Sequence, residues 1–276
     1  MSETITAEAR AADAIEAAAY RDMYAAAPPG LAAKLGLAVE EIGGATLLVA
    51  RAIPDAFFNR VIGLGVARPA SEAALDNLLA AYRAAGAKHW WVHLTPGAEP
   101  AALPSWLERR GFVLAKRSAW AKVLRGTEAP PEVGTPLEVR AARHGEEGAL
   151  AESIAAAFGM PAAFAPWFAA LALRRGWRAY VALEADRVVG GGLLYLDGGD
   201  AWLGAGAVRA EQRGRHAHRA LMALRVREAI AAGCTRIFTE TGEPVGDEPN
   251  PSLANMQWCG FRRVCSRLNY AAPAAA

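Results

Sequence analysis

The chain is expected to fold as an α/β protein (α+β, mixed sheet) built of two tandem domains, and three observations carry that expectation. Strand-like and helix-like hydrophobic patterns alternate along its whole length. A proline- and glycine-rich stretch interrupts them near the middle. The order strand, helix, strand, helix, Gly-Phe, strand occurs once on each side of that interruption, which suggests a diverged internal duplication.

At 276 residues, 53% hydrophobic and 21% charged, the composition is that of a globular chain large enough for two cores. No stretch is long and apolar enough to span a membrane. The Ala-rich segment from Ala7 to Ala27 lacks the basic and apolar regions of a signal peptide, and its charges at Glu8, Arg10, Asp13, Glu16, Arg21 and Asp22 predict a surface helix. A cytoplasmic location follows as an expectation. Cys234, Cys259 and Cys265 form no C-x-x-C pair and are expected to be ordinary buried or half-buried thiols.

Gly126 to Pro136 holds three prolines and two glycines in eleven residues, which prevents regular structure. The expected division is therefore 1–126, a linker at 127–136, and 137–276. In the first part, Ala45 to Arg51 and Arg60 to Val66 read as strands. Ser71 to Ala85 reads as a helix with Leu75, Leu78, Leu79 and Tyr82 on one face, His89 to Leu94 as a strand and Ala101 to Arg110 as a helix, before Gly111-Phe112 and a final strand.

In the second part the expected strands are Leu137 to Arg143, Arg178 to Glu184, Val188 to Leu196, Ala201 to Val208, Thr235 to Thr241 and Phe261 to Tyr270. The expected helices are Glu146 to Phe158, Pro161 to Arg175, Arg213 to Ala232 and Pro251 to Cys259.

The turn Arg213-Gly214-Arg215-His216-Ala217-His218 follows a strand and opens a helix whose apolar face carries Ala217, Ala220, Leu221 and Leu224. Unpartnered N–H groups and the helix dipole make such a terminus receptive to phosphate, and Gly214 lets the backbone approach an anion closely. From Arg209 to Arg227 there are six arginines and two histidines against one acid, Glu211, so the local field is positive although the chain carries only +2. The expected partner is an anion.

Three further matches give this half a family resemblance. Val208 stands five residues before Arg213, the next strand ends in Thr239-Glu240-Thr241, and Asn250 and Asn255 precede Gly260-Phe261. In these features it resembles the GNAT superfamily of acyl-CoA-dependent N-acyltransferases. The resemblance implies an N-acetyltransferase that moves an acetyl group from acetyl-CoA to a primary amine of a small molecule or peptide, without a metal. It implies that the backbone N–H of Val208 faces the thioester carbonyl and that Gly206 and Ala207 offer backbone to the pantetheine arm. Arg213, Gly214, Arg215, His216, Ala217 and His218 would hold the pyrophosphate, and Asn250 and Asn255 would bond the pantetheine amides or the helix entry. Glu240 is the candidate base, with a solvated strand-end glutamate as the plain alternative.

The chain departs from the family pattern at two places. His216 and His218 stand where the phosphate loop has glycines, and Met256, which cannot donate a proton, stands where a tyrosine often protonates the departing thiolate. A second reading is therefore an acyl-CoA-binding sensor or scaffold. The first half has Ala67-Arg68-Pro69-Ala70-Ser71 in place of the basic turn, and Pro69 removes an N–H donor, so this copy is expected to be a degenerate GNAT-like domain without a cofactor, packing on its partner and walling the acceptor cleft. Phe158, Phe164, Trp167, Phe168 and Trp177 fall where the resemblance implies a lid over the acceptor pocket; core packing explains most of them, and the alternative is that aromatics such as Trp167 shape a pocket for an apolar or aromatic amine.

Other chemistries fit poorly. His89 and His93 on a strand would stand about 13 Å apart, too far to share a metal. No G-x-S-x-G, H-E-x-x-H or Walker A run occurs. A nucleic-acid reading of the basic helix lacks a second basic element.

Overall fold

The computed structural model describes residues 5–273, with the side chains of 116–118 left aside. Its first half runs α1 (Ala7–Ala25), α2 (Pro29–Leu35), β1 (Leu37–Ile42), β2 (Ala45–Ala50), β3 (Arg60–Ile62), α3 (Glu72–Ala85), β4 (Trp91–Leu94), α4 (Leu103–Arg109) and β5 (Val113–Arg125). The second runs β6 (Glu138–Ala141), α5 (Glu147–Ala157), α6 (Ala165–Ala172), β7 (Trp177–Glu184), β8 (Arg187–Asp197), β9 (Asp200–Val208), α7 (Ala217–Ala231), β10 (Arg236–Gly242), α8 (Pro251–Trp258) and β11 (Arg262–Ala271).

These strands form a single mixed sheet in the order β1-β2-β3-β4-β11-β5-β10-β9-β8-β7-β6. At its centre the last strand of each half has crossed over. β11 lies between β4 and β5, with Leu268 opposite Leu94, while β5 lies against β10, with Arg125 opposite Ile237. From β3 to β9 the arrangement is the same read from either side, with β3 matching β9, β4 matching β10 and β5 matching β11. The repeated element order thus corresponds to a repeated spatial order. The segment 126–137 contains no regular element, yet the sheet continues across the division that this segment marks in sequence.

Alternate residues feed cores on opposite faces of the sheet, as the two-residue period of a strand requires. Leu48, Ala50, Leu124 and Phe238 pack with α1, α5 and α6. Leu47 and Val49 pack with α3, and Val123 and Ile237 with α7 and α8.

α1 is not a surface helix. Asp13 and Glu16 are 2% and 0% exposed, and the helix lies across the seam between the halves. Its acids are buried because the strands beneath supply cations. Lys122 Nζ lies 2.7 Å from Glu16 Oε2, Arg60 Nη2 lies 3.1 Å from Glu16 Oε1, and Arg267 Nη1 lies 3.0 Å from Asp13 Oδ1. A buried charge persists only when paired and hydrogen-bonded, and the sequence separation of these partners hides the pairing from a linear reading.

Several boundaries also differ from expectation, among them the helix expected from Pro161 to Arg175, which is α6 at Ala165–Ala172. β3 ends at Ile62 because Gly63 and Gly65 adopt left-handed φ angles of 83° and 75°, which turn the chain out of the sheet. α7 begins at Ala217 rather than Arg213, because Gly214 (φ 78°) and His216 (φ 61°) are both left-handed and cannot continue a helix. β1 and the short helix α2 have too few residues and too weak a period to be read in advance, whereas β2 falls within the expected strand Ala45 to Arg51.

Candidate active site

β9 and β10 are parallel neighbours only from Asp200/Arg236 to Trp202/Phe238. Beyond that they separate, and the last bond across the fork is from Thr239 Oγ1 to the Leu203 carbonyl, 2.8 Å. On the open side β9 bulges. Ala205 takes φ 50°, and the two residues Ala205 and Gly206 stand opposite the single residue Gly192 of β8. Arg209 N donates to Val189 O at 2.9 Å, which makes Val208 and Gly190 a non-hydrogen-bonded antiparallel pair. The N–H and C=O of Val208 therefore point away from β8 and into the fork.

Beneath the bulge lies a residue the sequence reading passed over. Arg225 of α7 is 2% exposed and donates to Leu221 O (3.1 Å), Leu193 O (3.2 Å) and Gly204 O (3.1 Å), with no carboxylate partner among the described residues. Burial pulls its guanidinium down to about 10. Added Cβ atoms at Gly192 and Gly206 would lie 2.7 and 2.6 Å from this guanidinium. Glycines inside two adjacent strands, facing a helical arginine, were the available signal.

A cleft of about 550 Å³ runs from the fork to the basic turn, lined by Gly206, Val208, Gly214, His216 and Asn255 among others. The left-handed angles at Gly214 and His216 aim successive N–H groups to one side, the arrangement of an anion-binding nest. No side chain caps the start of α7, so its first N–H groups also face this space. The linker braces the turn, with Thr135 Oγ1 donating to Arg215 O at 2.8 Å.

The arginines expected to act together are divided. Arg215 pairs with Glu184 at the rim, Arg225 is buried under the bulge, and Arg219 donates to Asn255 Oδ1 (2.8 Å) while covering the Trp258 ring at 4.9 Å. Arg213 is left exposed at the mouth of the cleft.

The two histidines also differ. His216 is exposed, whereas His218 is half-buried, with its Nδ1 3.1 Å from Asn255 Nδ2 and its ring bonded to the Gly206 backbone. Burial first, and then the nearby Arg225 charge, bring His218 down to about 4, so the ring is neutral and ties α7 to β9 and α8. Asn255 lines the cleft, but Asn250 does not. It caps α8, accepting from Leu253 N at 3.0 Å and donating to the Gly242 carbonyl.

Between the fork and α1 is a narrower space of about 180 Å³, bordered by Tyr20, Gly206, His218, Glu240 and Met256. Glu240 is not a solvated strand-end residue. Its side chain is 5% exposed and paired with Lys122, and desolvation, reinforced by the Glu16 charge, raises its carboxyl above the ordinary range. Met256 is buried beside it.

Residues 149–249 match the model of the Acetyltransferase (GNAT) family. The second half of the chain carries a GNAT acetyltransferase domain. The whole fold is similar to a GCN5-related N-acetyltransferase from Kribbella flavida (TM-score 0.65, 15% identity, 96% of each chain). It is likewise similar to one from Sphaerobacter thermophilus (TM-score 0.62, 15% identity, 84% of this chain and 82% of that one). A tandem GNAT protein from the clavulanic acid biosynthesis pathway superposes with a TM-score of 0.62 at 14% identity, covering 85% of this chain and 80% of that one. No curated protein matches the sequence. The architecture is therefore that of two tandem GNAT-like domains.

In the first half, the place that matches the GNAT cleft is occupied by its own backbone. Glu99 N donates to Gly65 O and Ala70 N donates to Glu99 O, both at 2.8 Å, while Arg10 of α1 bonds the Val66 carbonyl. The loop before β4's partner helix thus fills the fork that stays open between β9 and β10.

Behind the narrow space, an aromatic cavity of about 720 Å³ separates the two halves, lined by Phe57, Phe58 and Trp120 from one and Phe164, Phe168 and Trp177 from the other. The first half does form one wall of this cavity. Trp167 follows the core-packing reading and does not line the cavity: its ring is 1% exposed and its Nε1 donates to Met23 O at 2.6 Å, fixing α6 to α1.

Proposed function

We propose that the chain is an N-acetyltransferase using acetyl-CoA, with a primary amine of a small molecule or peptide attacking the thioester directly. The observation that carries this reading is the continuity of one cleft, from the anion nest at Gly214 and His216, along the free edge of β9, to the unpaired N–H of Val208. The nest and the first turn of α7 hold the diphosphate, helped by Arg213. The pantetheine amides pair with the β9 edge at Gly206 in the manner of an added strand, whereas the alternation that turns Val208 to the fork turns the Ala207 amide to β8. The Val208 N–H donates to the thioester oxygen as it gains charge.

Glu240 is the base of this scheme. Its raised pKa brings a carboxylate closer to the basicity that proton removal needs near neutral pH. The amine nitrogen adds to the carbonyl carbon, the C–S bond breaks, and the sulfur leaves with the electron pair. A free thiol has a pKa near 8.5, so thiolate departure needs little assistance and Met256 does not forbid turnover. The first half provides a wall and no second coenzyme site. The reading includes a cytoplasmic protein whose partners are the coenzyme and the amine, with no nucleic acid. Among the described residues no helix is long and apolar enough to cross a membrane, and no three metal-ligating side chains gather.

Titrating acetyl-CoA while following thermal stability tests binding, because a hundredfold excess over Kd adds about 2.7 kcal/mol. Thiol release with a panel of amines tests transfer. The buried Met256 beside the fork favours a second reading, an acyl-CoA sensor, and stabilisation without thiol release would select it.

A further inference from the structure

The aromatic cavity has features that specify its occupant. It opens to the fork through residues that also border the narrow space, namely Tyr20, Phe57, Trp120, Phe158, Trp202 and Ala205. Anything lodged there lies next to the place where the thioester would stand. Its volume, about 720 Å³, is that of a site for a small organic molecule.

Its charge pattern is equally restrictive. The one carboxylate among its lining residues is Asp55, which is exposed and engaged with the Phe57 N–H at 2.8 Å, so it belongs to the rim. The other acid near the path, Glu240, borders the narrow space at the fork. A ligand with one ammonium therefore finds aromatic faces along the way and a carboxylate at the fork. A ligand with a second ammonium would have to bury it in the cavity without a partner, which is strongly unfavourable. Rings from both halves form the walls, so the cavity exists only where the halves meet.

Resting on the acetyltransferase reading, we propose that the acceptor is a monoamine with an apolar body of aryl-alkyl size. The body lodges between the halves and the amine reaches the thioester past Tyr20, Phe158 and Trp202. The ammonium first gives up a proton to the base. The nitrogen then forms the C–N bond, the C–S bond breaks, and the coenzyme departs as a thiol carrying one of the protons lost by nitrogen, the other passing to solvent.

Calorimetry on the full chain tests this without relying on turnover. 2-Phenylethylamine should bind at least about tenfold more tightly than 1,4-diaminobutane. Met160 lines the aromatic cavity but not the coenzyme cleft. Met160→Arg should therefore abolish 2-phenylethylamine binding while leaving acetyl-CoA affinity unchanged. Ala52→Trp, at an exposed position on the cavity mouth, repeats the test should the first variant misfold. Equal binding of the diamine, or 2-phenylethylamine binding that survives both variants, would overturn the proposal. So would octanoyl-CoA binding tenfold more tightly than acetyl-CoA and losing that advantage in Met160→Arg, since the cavity would then hold an acyl chain. Failure of acetyl-CoA itself to bind would instead remove the acetyltransferase reading, and is measured separately.

Discussion

Glu16 of α1 and Arg267 of β11, 251 positions apart in sequence, meet as a fully buried pair with Arg267 Nη2 3.0 Å from Glu16 Oε1. Glu16 also faces Lys122 and Arg60, so one carboxylate from the first helix pairs with cations on three strands at the seam, with Asp13 and Glu240 supplying the further negative charge. Removing it leaves those cations buried and under-compensated. Glu16→Ala should cost about 3–5 kcal/mol, measured by urea denaturation. The Arg and Lys partners hold the Glu16 carboxyl well below the ordinary range despite its burial. Its stabilising effect is therefore present above the usual glutamate pKa and is lost as pH falls toward the depressed folded-state value.

His216 has left-handed backbone angles that a glycine would adopt without steric cost. His216→Gly should stabilise the chain by roughly 0.5–1 kcal/mol, because relief of the Cβ clash outweighs the entropy glycine adds to the unfolded state. It should also tighten acetyl-CoA binding roughly fivefold, about 1 kcal/mol, by baring the nest. Differential scanning calorimetry and titration calorimetry read the two effects.

His218 brings an acid sensitivity. Its folded-state pKa, depressed to about 4, lies below the unfolded value, so the unfolded chain takes up a proton first as pH falls. Stability from this group is intact above about pH 6.5 and is lost progressively as pH falls toward the folded pKa, by roughly 2–3 kcal/mol in all. His218→Asn should flatten that part of the stability–pH curve. An unchanged slope would show that the ring titrates freely.

Glu240→Gln should lower kcat by about 10²- to 10⁴-fold, the usual range for loss of a general base. The wild-type rate should rise with pH through an apparent pKa above the ordinary carboxylate range, because desolvation favours the protonated form at low pH. Loss of rate without change in the pH profile would mean that Glu240 serves only its ion pairs.

Much of the candidate cleft was legible in sequence because it is built from neighbours. Gly214 to His218, Val208 and Gly206 lie within one strand-turn-helix unit, and local patterning places them together. Asn250 was left between two roles because a helix cap and a ligand contact demand the same residue type at the same place, and the structure shows the helix cap. The buried ion cluster was not legible, and of the aromatic cavity only the wall of Phe158, Phe164, Phe168 and Trp177 was. Asp13, Glu16, Arg60, Lys122 and Arg267 each look like surface residues until the sheet order is known. Phe57, Phe58 and Trp120 come from segments that meet the second half only across the seam. The repeated element order foretold two similar halves, but nothing in a linear pattern reports that their final strands have changed places.

That exchange affects how the molecule comes into being. When β4 and β5 have both been made, at Arg125, they still have no common neighbour, because the strand that will join them, residues 262–271, has yet to be translated. Hydrophobic side chains on both faces of the gap must wait through the synthesis of everything between. The amino-terminal half therefore lacks the keystone of its sheet until β11 has been made.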